Sequence, residues 1–315
     1  MRSGSSILVL GAGELGMAVL RPLARRAAAS GVAVSVLLRA ATIASAEPAK
    51  RTEVEELRAL DVALVAGDIA ATSEEELAAQ FAPHDEVLSC IGFAAGRGTQ
   101  LKLARAALRA GVRRYFPWQF GVDYEVLGRG SAQDLFDEQL DVRDLLRRQH
   151  RTAWVIVSVG MFTSFLFEPA FGVVDLARDL VHALGSWENA VTVTTPEDIG
   201  ALTTEIVFAE PPVRDAVVHL AGDTITYSEL AVIVERATGR PMARAAWTVP
   251  MLERALADDP GDPLRKYRLV FAKGPGMAWD RVGTFNHRHG IATTGAQQWA
   301  EANLPGRRPD GAAGA

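Results

Sequence analysis

The chain has 315 residues, 49% of them hydrophobic and 23% charged, with a formal net charge of −5. Such a composition excludes wholesale disorder, and the absence of clustered Lys and Arg to neutralise phosphates argues against nucleic acid as a partner. A single cysteine, Cys90, excludes an intrachain disulfide and a Cys-rich metal site and suits a reducing cytoplasm, while no apolar run approaches the roughly 18 residues of a membrane span.

The first apolar run, "SILVL", stops at the glycines of "GAGELG" and not at a small-residue cleavage site, so it reads as a strand and not as a signal peptide. A helix "MAVLRPLARRAAAS" ended by Gly31 follows, then the strand "VAVSVLLR", the helix "TEVEELRAL" and the strand "VALVAGD". The alternation continues through the helix "SEEELAAQF", the strand "EVLSCIG", the helix "TQLKLARAALRAG" and the strand "VRRYFPWQFG". The helix "DLFDEQLDVRDLLRRQ" and the strand "TAWVIVSVG" complete it. Uniformly apolar strands separated by helices belong to a parallel sheet buried on both faces.

After Gly160 the rhythm loosens. "MFTSFLFEPAFGVVD" is aromatic and irregular, "AVTVTTPEDIGALTTEIVF" reads as strand, turn and helix, and "AVVHLAG" as a further sheet strand. "TYSELAVIVERATG" is a helix with Thr226 as N-cap and Glu229 three residues on, a capping-box pattern; the tail "RRPDGAAGA" reads as a frayed end. The expected class is α/β: a Rossmann-type doubly wound parallel sheet with a smaller C-terminal α+β substrate domain. Residues 1–160 form the dinucleotide-binding domain, with 190–222 returning to it. Residues 161–189 and 223–315 form the smaller domain, a cap on one end of the sheet.

Gly11, Gly13 and Gly16 stand at G-x-G-x-x-G spacing between the first strand and the first helix. The first glycine permits a tight turn, the second leaves room for a pyrophosphate, and the third lets helix and strand pack closely, with helix N–H groups facing the anion. Glu14 and Leu15, inside the motif, count with the glycines as cofactor-binding positions. An NAD site would place Asp or Glu at the end of the second strand; this chain has Arg39, whose guanidinium suits a 2′-phosphate. Thr42 and Lys50 can add to that pocket, so NADP(H) is the expected cofactor. Gly92 and Phe93, at the end of the fourth strand, are further cofactor-contact candidates, whereas Cys90 reads as a buried strand residue.

"GAGELG", "RAAT" followed by Lys50, "GD" at 67–68, "AGVRRYFPWQFGVD" and "PEDIG" together resemble the NmrA-like and isoflavone-reductase-like group of atypical short-chain dehydrogenases. Plant members carry R-F-[LIV]-P-S-E-F-G where this chain has "RYFPWQFG". Relatives with the P-W-Q-F-G variant are labelled aromatic alcohol reductase-like. The resemblance implies an NADPH-dependent reductase of small aromatic, phenylpropanoid-like carbonyl or conjugated substrates. It also implies a catalytic lysine in a segment F-x-x-K-x-x-V-R, but the matching "FDEQLDVR" has Gln139 there, which cannot act as an ammonium acid or as a base.

The stretch "PWQFGVDYEVLGRGSAQDLF" follows a strand whose carboxyl end opens beside the expected nicotinamide, where open α/β sheets bind ligands. Trp118 and Phe120 are candidates for an aromatic wall, or for packing between domains. Gln119 can hydrogen-bond a substrate oxygen, Tyr124 can donate a proton, and Gln139 can orient a carbonyl or a water. In the resembled family the segment 159–172 lines the substrate pocket, which implicates Met161, Phe162 and Phe165, with core packing as the alternative. His182, His219, His287 and His289 lack metal-site spacing and read as surface or capping residues, so no metal is expected. A second function class stays open: a non-catalytic NADP(H)-binding sensor that regulates a protein partner. A homodimer is also left open.

Overall fold

The computed structural model describes residues 4–304, so the tail "RRPDGAAGA" lies outside the described residues. The chain divides into two compact units. The first is built from residues 1–159 and Pro196–Leu220, the second from Gly160–Thr195 and from Ala221 onward. The segment that returns to the first unit is therefore 196–220 and not 190–222. Residues 190–194 form a strand whose pairing partners lie in the second unit.

The first unit alternates strands and helices. Its elements are β1 (Ser6–Leu10), α1 (Glu14–Ser30), β2 (Ala33–Leu38), α2 (Ala40–Ile43), α3 (Pro48–Ala59), β3 (Ala63–Ala66) and α4 (Glu74–Phe81). They continue with β4 (Glu86–Ser89), α5 (Thr99–Ala110), β5 (Arg114–Phe116), α6 (Tyr124–Leu127), α7 (Leu135–Arg147) and β6 (Ala153–Ser158). In the second unit β7 (Met161–Phe162), α8 (Thr163–Leu166), β8 (Val174–Asp175), β9 (Leu180–Leu184) and β10 (Ala190–Thr194) follow. The return to the first unit supplies α9 (Pro196–Val207) and β11 (Ala216–His219).

The seven strands of the first unit pair in parallel in the order β11-β6-β5-β4-β1-β2-β3. The chain runs outward from β1 to β3 and then crosses to β4 on the other side. The order thus reverses between β1 and β4, the position at which such sheets bind ligands beyond the strand carboxyl ends. Leu8, Leu10, Val87, Tyr115 and Ile156 on the strands pack with Leu77, Leu103 and Leu146 on α4, α5 and α7. The strand expected over "VRRYFPWQFG" is only Arg114–Phe116. Pro117 has no N–H to continue the ladder, and the chain turns out of the sheet there.

The returning segment is fixed at two places. Gly200 of α9 lies so close to α1 that a Cβ on it would meet the Ala18 carbonyl oxygen at 2.0 Å. The buried Arg114 guanidinium donates to Glu86 Oε2 at 2.8 Å and also to the carbonyl oxygens of Val207 and Val213.

The second unit adds β12 (Asp223–Thr226), α10 (Tyr227–Thr238), β13 (Ala243–Trp247), α11 (Val249–Asp258), α12 (Pro263–Lys273), α13 (Phe285–Arg288) and α14 (Ala296–Asn303). It holds two three-stranded mixed sheets, β12-β10-β7 and β13-β9-β8. The capping box at Thr226 and Glu229 is formed in full. Among the described residues no helix is long and apolar enough to cross a membrane.

Candidate active site

Each glycine of the turn after β1 has a separate physical reason. Gly11 has φ +85°, a left-handed conformation that L side chains rarely adopt, and a Cβ there would strike Ile91 Cδ1 at 2.5 Å. Gly16 has no room, since its Cβ would lie 2.3 Å from the Gly11 carbonyl oxygen. Gly13 is the opposite case: nothing lies within 4 Å of a Cβ built on it, and it caps α1 without any side chain accepting from the helix. The first N–H groups of a 17-residue helix are therefore left without a side-chain cap beside open space at Gly13, an arrangement that fits a pyrophosphate. Glu14 is exposed, but the Leu15 side chain is buried in the core, so Leu15 can offer a ligand only its backbone.

Arg39 directly follows β2 and is exposed. Its carbonyl accepts from Thr42 and Ile43, while its guanidinium makes no ion pair among the described residues. Thr42 is half-buried one helical turn on. Lys50 is less available than the sequence suggests, because its Nζ sits 2.9 Å from Glu53 Oε2 on the same helix. Beyond β4, the Cys90 thiol is pushed up by burial, which keeps it protonated. Gly92 leaves space that Trp118 fills, with the indole Cζ2 3.1 Å from where a Cβ would be. Phe93 meets Trp118 edge-on at 4.6 Å and lies 5.8 Å from Phe136, which in turn meets Tyr124 edge-on at 5.0 Å. These four rings form a continuous aromatic wall on the loops after β4 and β5 and the start of α7. Phe120 packs in the core outside this ring series.

The three expected catalytic side chains do cluster, but inside the wall. Arg143 on α7 is 1% exposed, and its Nε donates to Gln119 Oε1 at 2.7 Å. Gln119 Nε2 donates to the Gln139 carbonyl at 2.8 Å. The guanidinium lies 5.5 Å from the centre of the Tyr124 ring. Gln119 is thus a buried bracket between two points of α7, required because the guanidinium must have an acceptor once desolvated, and it is not poised for a substrate oxygen. Tyr124 is 1% exposed, with its hydroxyl packed on Gly121, so it is a wall ring and not a loop-tip acid. Gln139 is 0% exposed, and neither its Oε1 nor its Nε2 has a hydrogen-bond partner. It cannot orient a ligand without opening the wall.

Met161 is buried in β7 opposite Val193, while Phe162 and Phe165 are half-buried. Phe165 stacks on Phe171 at 4.7 Å with Tyr267 edge-on at 5.8 Å, all within the second unit. Among the described residues no group of three or more His, Cys, Asp or Glu is placed to hold a metal ion.

One constellation escapes a reading of the sequence. His219, the last residue of β11, has its Nε2 2.9 Å from Asp123 Oδ2, across 96 residues of chain. Burial pushes the Asp123 carboxyl up, but the hydrogen bond and charge of His219, the Val126 N–H and the Arg143 charge outweigh it and hold the group below its ordinary value. The available signal was a histidine closing an otherwise apolar strand, "AVVH".

A family model described as NmrA-like matches residues 3–264. The chain belongs to the NmrA-like family. A relative in Gibberella moniliformis, an NmrA-like family domain-containing oxidoreductase, is 46% identical over 93% of this chain and 96% of its own length. The fold of this NmrA-like chain is shared with isoflavone reductase (TM-score 0.77, 20% identity, 95% of this chain and 99% of that one). It is also shared with the leucoanthocyanidin reductase–NADPH binary complex from Vitis vinifera (TM-score 0.78, 18% identity, the same coverage).

Proposed function

We propose that this NmrA-like protein is an NADPH-dependent oxidoreductase that reduces a small aromatic, phenylpropanoid-like carbonyl or conjugated substrate. The observation that carries the reading is Arg39, a guanidinium without an ion-pair partner among the described residues, beside a helix N-terminus that no side chain caps. The turn at Gly11 and Gly13 would hold the pyrophosphate, with Gly16 seating α1 beside it, and Arg39 would hold the 2′-phosphate. When bound, the reduced nicotinamide supplies the hydride. The half-buried rings of Phe93 and Trp118, backed by Phe136 and Tyr124, support an aromatic substrate, since such faces stack on planar molecules.

A second reading, an NADP(H)-binding sensor without turnover, is favoured by Gln139, which stands where the resembled reductases have an ammonium and is sealed from solvent. Mixing the protein with NADPH and a panel of aromatic ketones, aldehydes and enones, and following nicotinamide absorbance, separates the two. Binding without turnover across the panel favours the sensor.

A further inference from the structure

We propose that His219, oriented by Asp123, donates the proton of the reduction, filling the role that Gln139 cannot; the inference rests on the reductase reading above. All seven strands of the first sheet run in parallel, so the carboxyl ends of β5, β6 and β11 lie along the same edge as the glycine turn. His219 closes β11 in register with Ser158, the last residue of β6, and Asp123 lies in the loop after β5. The imidazole is therefore on the ligand-binding edge of the sheet, reached from the far end of the chain.

The pair is held in one arrangement. Asp123 Oδ2 takes the imidazole, while Oδ1 accepts from the N–H groups of Glu125 and Val126 at the start of α6, at 3.1 and 3.4 Å. Arg143 Nη1 stands 3.8 Å from the same Oδ1, and that guanidinium is itself fixed through Gln119. An ionised carboxylate that grips one ring nitrogen fixes the tautomer and orientation of the ring, as in other sites where a third group orients an acid or base. The charged groups around the pair are Arg143 and Arg147 on α7 and Glu125 on α6, with Arg147 paired to Glu125. With a side chain 29% exposed, His219 can exchange protons with solvent between turnovers.

The chemistry balances with the coenzyme as reductant. As hydride arrives at the carbonyl carbon, the C=O π pair moves onto oxygen, and protonated His219 places its proton there. The products are an alcohol, oxidised coenzyme and neutral imidazole, which then takes a proton from water. Asp123 and Arg143 are positioning residues in this scheme.

The test compares wild type with His219→Gln and Asp123→Asn, reading NADPH affinity, the pH profile of kcat and, without coenzyme, the tautomer of the His219 ring by nitrogen NMR. Loss of a general acid predicts a kcat lower by about 100-fold in His219→Gln. NADPH affinity should be unchanged, and the alkaline fall of the kcat profile should disappear. In the coenzyme-free protein the neutral His219 ring should carry its hydrogen on the Nε2 that faces Asp123, and that preference should be lost when Asp123 becomes Asn. Active wild type together with a His219→Gln variant of equal kcat and unaltered pH profile overturns the inference alone, as does a His219 tautomer indifferent to Asp123. A wild type that binds NADPH but reduces nothing in the panel overturns the reductase reading, and the inference with it.

Discussion

Gly16 lies against Gly11 so closely that a methyl group on it would be 2.3 Å from the Gly11 carbonyl oxygen, whereas a methyl on Gly13, three residues earlier, would meet nothing within 4 Å. The two positions therefore make opposite predictions. Gly16→Ala must push α1 from β1 and should cost about 1–3 kcal/mol, read as a lower denaturant midpoint. Gly13→Ala should leave stability within about 0.5 kcal/mol of wild type yet weaken NADPH binding, because the new methyl occupies the space where a pyrophosphate would approach. Equal effects of the two changes on stability would contradict this division of roles.

Arg39→Ala should weaken NADPH far more than NADH. A charge-assisted contact of about 1.5–3 kcal/mol corresponds to a loss of about 10- to 100-fold in affinity for the phosphorylated coenzyme. Fluorescence titration with both coenzymes measures it, and parallel losses would remove the 2′-phosphate assignment.

The Gln139 amide is sealed in with neither end paired. Leaving a buried polar group without a partner costs about 1–3 kcal/mol. Gln139→Met, similar in length and apolar, should therefore be neutral or stabilising in chemical denaturation. A clear destabilisation would mean that the amide has a partner, such as an ordered water.

The depressed Asp123 carboxyl gives a pH dependence of known sign. The unfolded chain binds the proton at a higher pH than the folded one, so the group's contribution is fully present above its ordinary value of about 3.9 and is lost as pH falls through the lower folded value. The stability difference between wild type and Asp123→Asn should accordingly shrink as pH falls below about pH 4. A difference that grows on acidification would reverse the assignment.

The sheet and the glycine turn were legible in the sequence because both rest on local signals, apolar runs bounded by helices and glycines at fixed spacing. β5 was overread because "VRRYFPWQFG" stays apolar past Pro117, although the ladder ends at Phe116. Polar roles were the least legible. Gln119 looked available for a ligand because nothing near it in the chain announces that Arg143, 24 residues on, will claim its oxygen. His219 was passed over for the same reason, since its partner is remote in the chain and no spacing rule connects them. Phe120 and Trp118, two residues apart in a turn, gave no hint of which would enter the core.

The first unit is discontinuous, and this bears on its biosynthesis. A nascent chain that has emerged as far as Val159 has delivered six of the seven strands of the dinucleotide half. It still lacks the helix that Gly200 seats on α1, the carbonyls that Arg114 grips and the imidazole that Asp123 holds. That half can close only after the chain has emerged through Leu220, by which time Gly160–Thr195 of the other unit is already outside the exit tunnel.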